Sequence, residues 1–77
     1  MDIRERFGKT VSSIRRKQNL SQEKLAEISK LDRTYIGGVE RGERNLSLLN
    51  IERLSNALQM EISEVFRLME GDTHNED

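Results

Sequence analysis

Apolar residues recur along this chain at intervals of three and four rather than in the alternation of a strand, and the intervals mark out five amphipathic helices. The first is expected from an N-cap at Asp2 to Lys17, with Ile3, Phe7, Val11 and Ile14 on one stripe and Arg4, Lys9, Arg15 and Arg16 off it. Asn19 and Leu20 break the pattern. Ser21 is then placed to cap a second helix, Gln22 to Ser29, whose inward face reads as Leu25, Ala26 and Ile28. Lys30 and Leu31 connect it to a third helix that starts after a cap at Asp32, runs from Arg33 to about Arg41 and stops at Gly42, with Leu31, Ile36 and Val39 pointing back to the core. Glu43 to Leu46 reads as a polar loop. Ser47 caps a fourth helix, Leu48 to about Leu58, with Ile51, Leu54 and Leu58 as its stripe. A fifth, about Ile62 to Met69, carries Ile62, Val65, Phe66 and Met69. Residues 1–70 are therefore expected to form one compact, all-α, five-helix domain. Residues 71–77 offer nothing apolar and read as a flexible acidic tail.

Length and charge narrow the use of such a domain. With 77 residues the core must be small, since a domain near this size buries only about 60% of the surface of its unfolded chain. The chain has no Cys, which rules out disulfides and thiolate metal sites and suits a reducing cytoplasm. No apolar run approaches the roughly 18 residues of a membrane span, and the charged N-terminus lacks the apolar stretch of an export signal. The formal net charge of −1 looks wrong for a nucleic-acid binder, but it hides an asymmetry. Met1 to Leu46 holds eleven Lys and Arg against seven Asp and Glu, whereas Ser47 to Asp77 holds two against seven. A local patch meets DNA, so the distribution outweighs the sum. The plainer alternative is that both sets of charges are solvated helix faces.

Two short helices joined by about three residues, the second opening on polar and aromatic side chains, match the helix-turn-helix layout, in which the second helix enters the major groove. Ala26 falls where the two helices would cross. The segments Ser21-Gln22-Glu23-Lys24-Leu25-Ala26, Tyr35-Ile36 and Val39-Glu40-Arg41-Gly42 resemble the Cro and phage-repressor helix-turn-helix family, also called the XRE family. The likeness spans nearly the whole chain, with Ala57-Leu58 and Glu64-Val65-Phe66 resembling the closing segment of that family's lambda-repressor-like five-helix fold. Within the family, the run from Leu31 to Asn45 is similar to the controller proteins of restriction-modification systems.

The resemblance implies a sequence-specific transcriptional regulator and assigns roles to residues. Gln22, at the start of the second helix, would hold a phosphate. Arg33, Thr34 and Tyr35 open the recognition helix and would reach base edges or the flanking backbone, Arg33 by a bidentate contact to guanine. Gly37, Gly38 and Arg41 belong to the outward side and flanks, and Arg44 and Asn45 to the loop contacts beyond. For Arg33, Arg41 and Arg44 the plainer alternative is a surface charge, and for Tyr35 a ring packed on the core edge. The family pairs Glu40 with an Arg at the position of Arg15, which implies a partly buried, bidentate ion pair between helices 1 and 3. Two residues depart from the family pattern. Lys30 stands where Gly or Asn often takes positive φ, so the turn is either strained or of another geometry. Gly37 replaces a Ser common in controller proteins, which allows either a closer approach to DNA or the loss of a base contact.

A domain this small is expected to act as a homodimer on a pseudo-palindromic duplex operator, with half-sites about 34 Å apart or a multiple of that. Leu46, Leu49, Met60, Ile62, Val65, Leu68 and Met69 supply more apolar side chains than one short helix pair can bury, and the family dimerises through this region. RNA polymerase is a further partner if the protein activates. No cofactor, metal, membrane or small-molecule ligand is expected, and an enzyme is disfavoured. The single His74 lies in the tail, and neither a phosphate-binding Gly-rich loop nor EF-hand spacing is present. The alternatives are a phage- or plasmid-type repressor and an antitoxin-like module that uses the same fold to bind protein.

Overall fold

The structure, a computed structural model, describes residues 1–74 as five helices in the order α1 Ile3–Lys17, α2 Gln22–Ser29, α3 Arg33–Glu40, α4 Leu48–Ala57 and α5 Ile62–His74. Each of the first four begins where a short polar side chain satisfies an orphan amide. Asp2 accepts from the amides of Arg4 and Glu5 while the Glu5 carboxylate accepts from that of Asp2, closing a capping box; Ser21, Asp32 and Ser47 cap the amides of Lys24, Thr34 and Asn50. Those four caps are the ones the sequence marks.

The four ends share one device. The amides of Leu20, Leu31, Glu43 and Met60 reach back to the carbonyls of Arg15, Ala26, Gly38 and Ser55 at 2.9–3.1 Å, the six-to-one bond of a Schellman turn. The residue before each amide is left-handed: Asn19 at φ 60°, Lys30 at 61°, Gly42 at 78° and Gln59 at 58°. Of the two geometries open to Lys30, the chain takes the strained one. Leu20, Leu31 and Met60 then fold against the core, so each turn converts a backbone strain into apolar burial.

Helix α3 lies between α1 and α2, while α5 closes the far side of α1 and packs with α4, which also covers α2. The core joins Phe7, Val11 and Ile14 to Leu25, Ala26, Ile36, Val39, Leu54, Ala57, Leu58, Val65 and Met69. Phe7 and Phe66 pack with ring centroids 5.5 Å apart and their planes tilted by 33°. The Gln18 amide donates to the Leu58 carbonyl at 2.8 Å, fastening the end of α1 to that of α4. No helix among the described residues is long and apolar enough to cross a membrane.

Three local expectations are corrected. Ile28 is 44% exposed, because the inward face of α2 is set by Leu25, Ala26 and Ser29, one turn apart, and Ile28 falls on its flank. Ile3 is exposed beyond the last covered turn of α1. Helix α5 continues through Gly71 to His74 where a flexible tail was expected to begin; Gly71 does not take the positive φ by which Gly42 ends α3. Residues 75–77 of that tail lie outside the described residues.

A signal absent from the helical periodicity is Gly8. A Cβ there would run into the Val39 carbonyl oxygen, with that of Glu40 at 2.9 Å, so the last turn of α3 rests directly on the backbone of α1. Gly8→Ala should therefore destabilise the fold severely, whereas Lys30→Gly, which relieves a left-handed lysine, should stabilise it by about 1 kcal/mol, or about 4–8 °C in Tm. Thermal melts of both variants check the pair.

Candidate nucleic-acid interface

The recognition helix is held from behind by one buried polar cluster. Arg15 Nε donates to Glu40 Oε2 at 2.7 Å and its Nη2 to Oε1 at 3.0 Å, a bidentate fork, while Nη1 donates to the Leu20 carbonyl at 2.8 Å. The two side chains are only 11% and 6% exposed. Gln22 Nε2 also donates to Glu40 Oε1 at 3.0 Å, which brings the start of α2 into the same cluster. Burial pushes the Glu40 carboxyl up, but the hydrogen bonds from Arg15 and Gln22, the Arg15 charge and a hydrogen bond from Ser12 outweigh it and hold the group below its ordinary value. The same fork raises Arg15. Gln22, expected on a phosphate, thus has a donor committed inside the protein.

The opposite side of α3 carries the expected reading residues. Arg33 and Thr34 are exposed in its first turn, where the Asp32 carboxylate takes the Thr34 amide at 2.7 Å. Arg33 pairs with no carboxylate among the described residues. Tyr35 is half-buried; its hydroxyl accepts from Asn50 Nδ2 at 3.1 Å, and its ring lies under the Arg44 guanidinium, 5.2 Å from centroid to Cζ. Arg41, exposed at the end of α3, makes a fork with Glu43 at 3.1 and 3.2 Å. Asn45 is exposed in the loop that follows. Gly37 and Gly38, expected on the outward side, are buried, because Arg41 and Arg44 lie across them.

Three partners in this arrangement escape a reading by family position. Asn50 could have been found, since it lies four residues before Leu54 on an inward stripe, where a polar side chain needs a partner. Glu43 and Ser12 carry no such mark. The apolar residues expected at a dimer contact divide. Leu49, Ile62 and Leu68 are exposed, Leu46 and Met60 pack partly on the core, and Val65 and Met69 are corrected to monomer core at 2% and 3% exposure. Spaced four apart on α5, these two fall on the stripe that faces the rest of the bundle. Leu48, 84% exposed and not foreseen, adjoins Leu49.

A family model described as Helix-turn-helix matches residues 11–65. Control protein C.SmaI of Serratia marcescens is 53% identical over 62 residues, which is 80% of this chain and 74% of that one. The crystal structure of the restriction-modification controller protein C.AhdI from Aeromonas hydrophila superposes with a TM-score of 0.79 at 50% identity, covering 80% of this chain and 94% of the other. The chain belongs to the helix-turn-helix controller proteins. That family is one of transcriptional regulators and not of enzymes. A further controller protein, C.Esp1396I, solved as a tetramer in complex with its natural 35 base-pair operator, matches with a TM-score of 0.84 at 32% identity over 90% of this chain and 91% of that one. In the present chain α2 and α3 are the helix-turn-helix, and the Arg15–Glu40 fork fixes α3 to α1.

Removing either partner of that fork strands the other charge. Arg15→Ala and Glu40→Ala should each cost about 3 kcal/mol or more in urea or thermal unfolding. Because the folded Glu40 carboxyl is lowered from 4.5, its contribution is complete above that pH and is lost as the pH falls through the folded value. Glu40→Gln should therefore be less stable than the parent at neutral pH and close the gap in acid, which melts across the acid range will show.

Proposed function

We propose that this protein is the operator-binding regulator of a restriction-modification system, acting in the cytoplasm as a homodimer on pseudo-palindromic duplex DNA. The observation that carries this reading is the outer side of α3. Arg33, without an ion-pair partner among the described residues, stands in the first turn of a helix whose inner side is bolted to α1, and Arg44 is stacked on Tyr35 close by. A guanidinium unclaimed by a carboxylate offers two parallel donors to guanine O6 and N7, and the Thr34 hydroxyl or methyl can address a neighbouring base. Arg41, Arg44 and Asn45 extend the surface toward a flanking phosphate or minor groove, while the start of α2 at Gln22 sets register on the backbone. The half-buried Tyr35 supports Arg44 through its ring while its hydroxyl is held by Asn50.

The tetrameric operator complex of C.Esp1396I supports the DNA reading and the expectation of more than one subunit. Exposed Leu49, Ile62 and Leu68, together with Leu48, provide apolar surface for a second copy. The acidic segment from Ser47 onward provides a surface of opposite character to the recognition helix, suited to RNA polymerase where the protein activates.

Selection from random duplex DNA should return a palindrome. Arg33→Ala or Arg44→Ala should weaken binding to the selected site by about tenfold or more and relax preference at one position in each half-site. Uniformly weak binding to every sequence would overturn the assignment. In sedimentation the mass should rise with concentration, and Leu68→Glu should hold it at the monomer and weaken binding to the full palindrome more than to a half-site.

A further inference from the structure

Two successive glycines inside an eight-residue helix cost about 1 kcal/mol each relative to alanine. Neither Gly37 nor Gly38 has a positive φ, so conformational freedom does not account for them. What their missing side chains admit is the protein's own arginines. A Cβ on Gly37 would lie 3.1 Å from Arg41 Nη1 and 3.8 Å from Gln22 Oε1; one on Gly38 would lie 2.9 Å from Arg44 Nε and 3.3 Å from its Cγ. Each arginine is also held from its other side. The Glu43 carboxylate takes Nε and Nη2 of Arg41 at 3.1 and 3.2 Å, leaving Nη1 over Gly37. Arg44 rests on the Tyr35 ring, which Asn50 fixes through the hydroxyl.

We propose that Gly37 and Gly38 are specificity-determining positions, which act as seats laying the Arg41 and Arg44 side chains along the recognition helix so that these arginines read the DNA there. The inference rests on the operator-binding reading above and adds how the middle of α3 takes part without side chains of its own. An arginine already lying along the helix loses less rotamer freedom on binding than one extended into solvent. The Glu43 carboxylate presents Arg41 with two acceptor atoms side by side, as guanine O6 and N7 or two phosphate oxygens would, and an exposed pair of this kind is easily exchanged. Arg44 forms no ion pair among the described residues, feels the Glu43 charge only at longer range, and keeps its aromatic support.

A double-mutant cycle tests the proposal on the selected operator, with Gly38→Ala, Arg44→Ala and both together, and the same for Gly37 and Arg41. Alanine adds helix propensity and meets only a flexible side chain, so Tm should not fall; in the double variants even that obstacle is gone. Gly38→Ala should weaken operator binding by about tenfold and shift the selected sequence, yet change affinity less than about twofold in the Arg44→Ala background. In the DNA-free protein, the upfield ring-current shift of the Arg44 side-chain protons over Tyr35 should be lost in Gly38→Ala, a readout that a purely structural glycine would not move. An equal loss in both backgrounds would show that the glycine admits the DNA backbone itself and would overturn the proposal. So would operator binding of Gly38→Ala equal to the parent. If the parent selects no sequence, the operator reading falls and this inference with it; if the parent selects and the cycle is additive, only this inference falls.

Discussion

The fork between Arg15 and Glu40 is the constraint on which the reading surface depends. An eight-residue helix with two glycines is marginal as a helix in water, and α3 cannot hold its orientation by propensity. It is held instead by Ile36 and Val39 in the core, by the bare backbone of Gly8 beneath its last turn, and by a carboxylate that accepts from Arg15 and Gln22 at once. Arg15 also takes the Leu20 carbonyl at the end of α1. The cluster therefore joins the end of α1, the start of α2 and the end of α3. Displacing any one of these elements breaks the geometry of the other two.

Fixing the inner side so firmly frees the outer side from structural duties. Among the residues of α3, only Tyr35 has a foot in both, its ring half-buried and its hydroxyl engaged by Asn50. The remaining outward positions are either exposed and without an ion-pair partner among the described residues, as Arg33 is, or empty, as Gly37 and Gly38 are. The empty ones are filled from downstream by Arg41 and Arg44, which lie past the end of the helix. The surface that faces outward thus combines side chains from α3 with side chains from the loop after it, and its shape depends on the tight Gly42 turn that sends the chain back.

Much of this was legible in the sequence, for reasons that differ by residue. Helix starts at Asp2, Ser21, Asp32 and Ser47 were legible because capping is local and involves the next two or three amides. The stripes of α1, from Phe7 onward, and of α4 were legible because periodicity reports an inward face when the helix is long enough to define one; it failed for Ile3, which lies at the exposed start of α1. It failed for Ile28 because two turns of α2 leave the centre of the face uncertain by a residue. It failed for Val65 and Met69 because an apolar side chain on a terminal helix looks the same whether its own domain or a second copy covers it. The Arg15–Glu40 fork came from likeness to a family, since a spacing of 25 residues has no local signature. Gly8 had none either, because the need for a missing Cβ is visible only when the facing carbonyls are in place. Gly37 and Gly38 were noticed as a cost, but what lies over them depends on where the loop returns.

The same limit applies to charge. Counting residues gives the first half of the chain a surplus of positive charge, but only the structure shows which cations are already neutralised. Arg4, Arg6, Arg15, Lys24 and Arg41 each face a carboxylate, and Arg6 reaches into the acidic half to pair with Glu70. Arg33 and Arg44 form no ion pair among the described residues, and Arg44 feels Glu43 only at longer range, so most of their charge stays available where the helix-turn-helix is exposed. Arg41 is intermediate, because it must exchange Glu43 for an acceptor of comparable geometry before it can contribute. Exchange of this kind returns little net energy from an arbitrary phosphate, since one anion replaces another in solvent. It favours a partner that engages the whole fork. Partial neutralisation of a basic surface in the free protein therefore lowers its general attraction for polyanions more than its preference among them, which is consistent with a regulator whose overall charge is slightly negative.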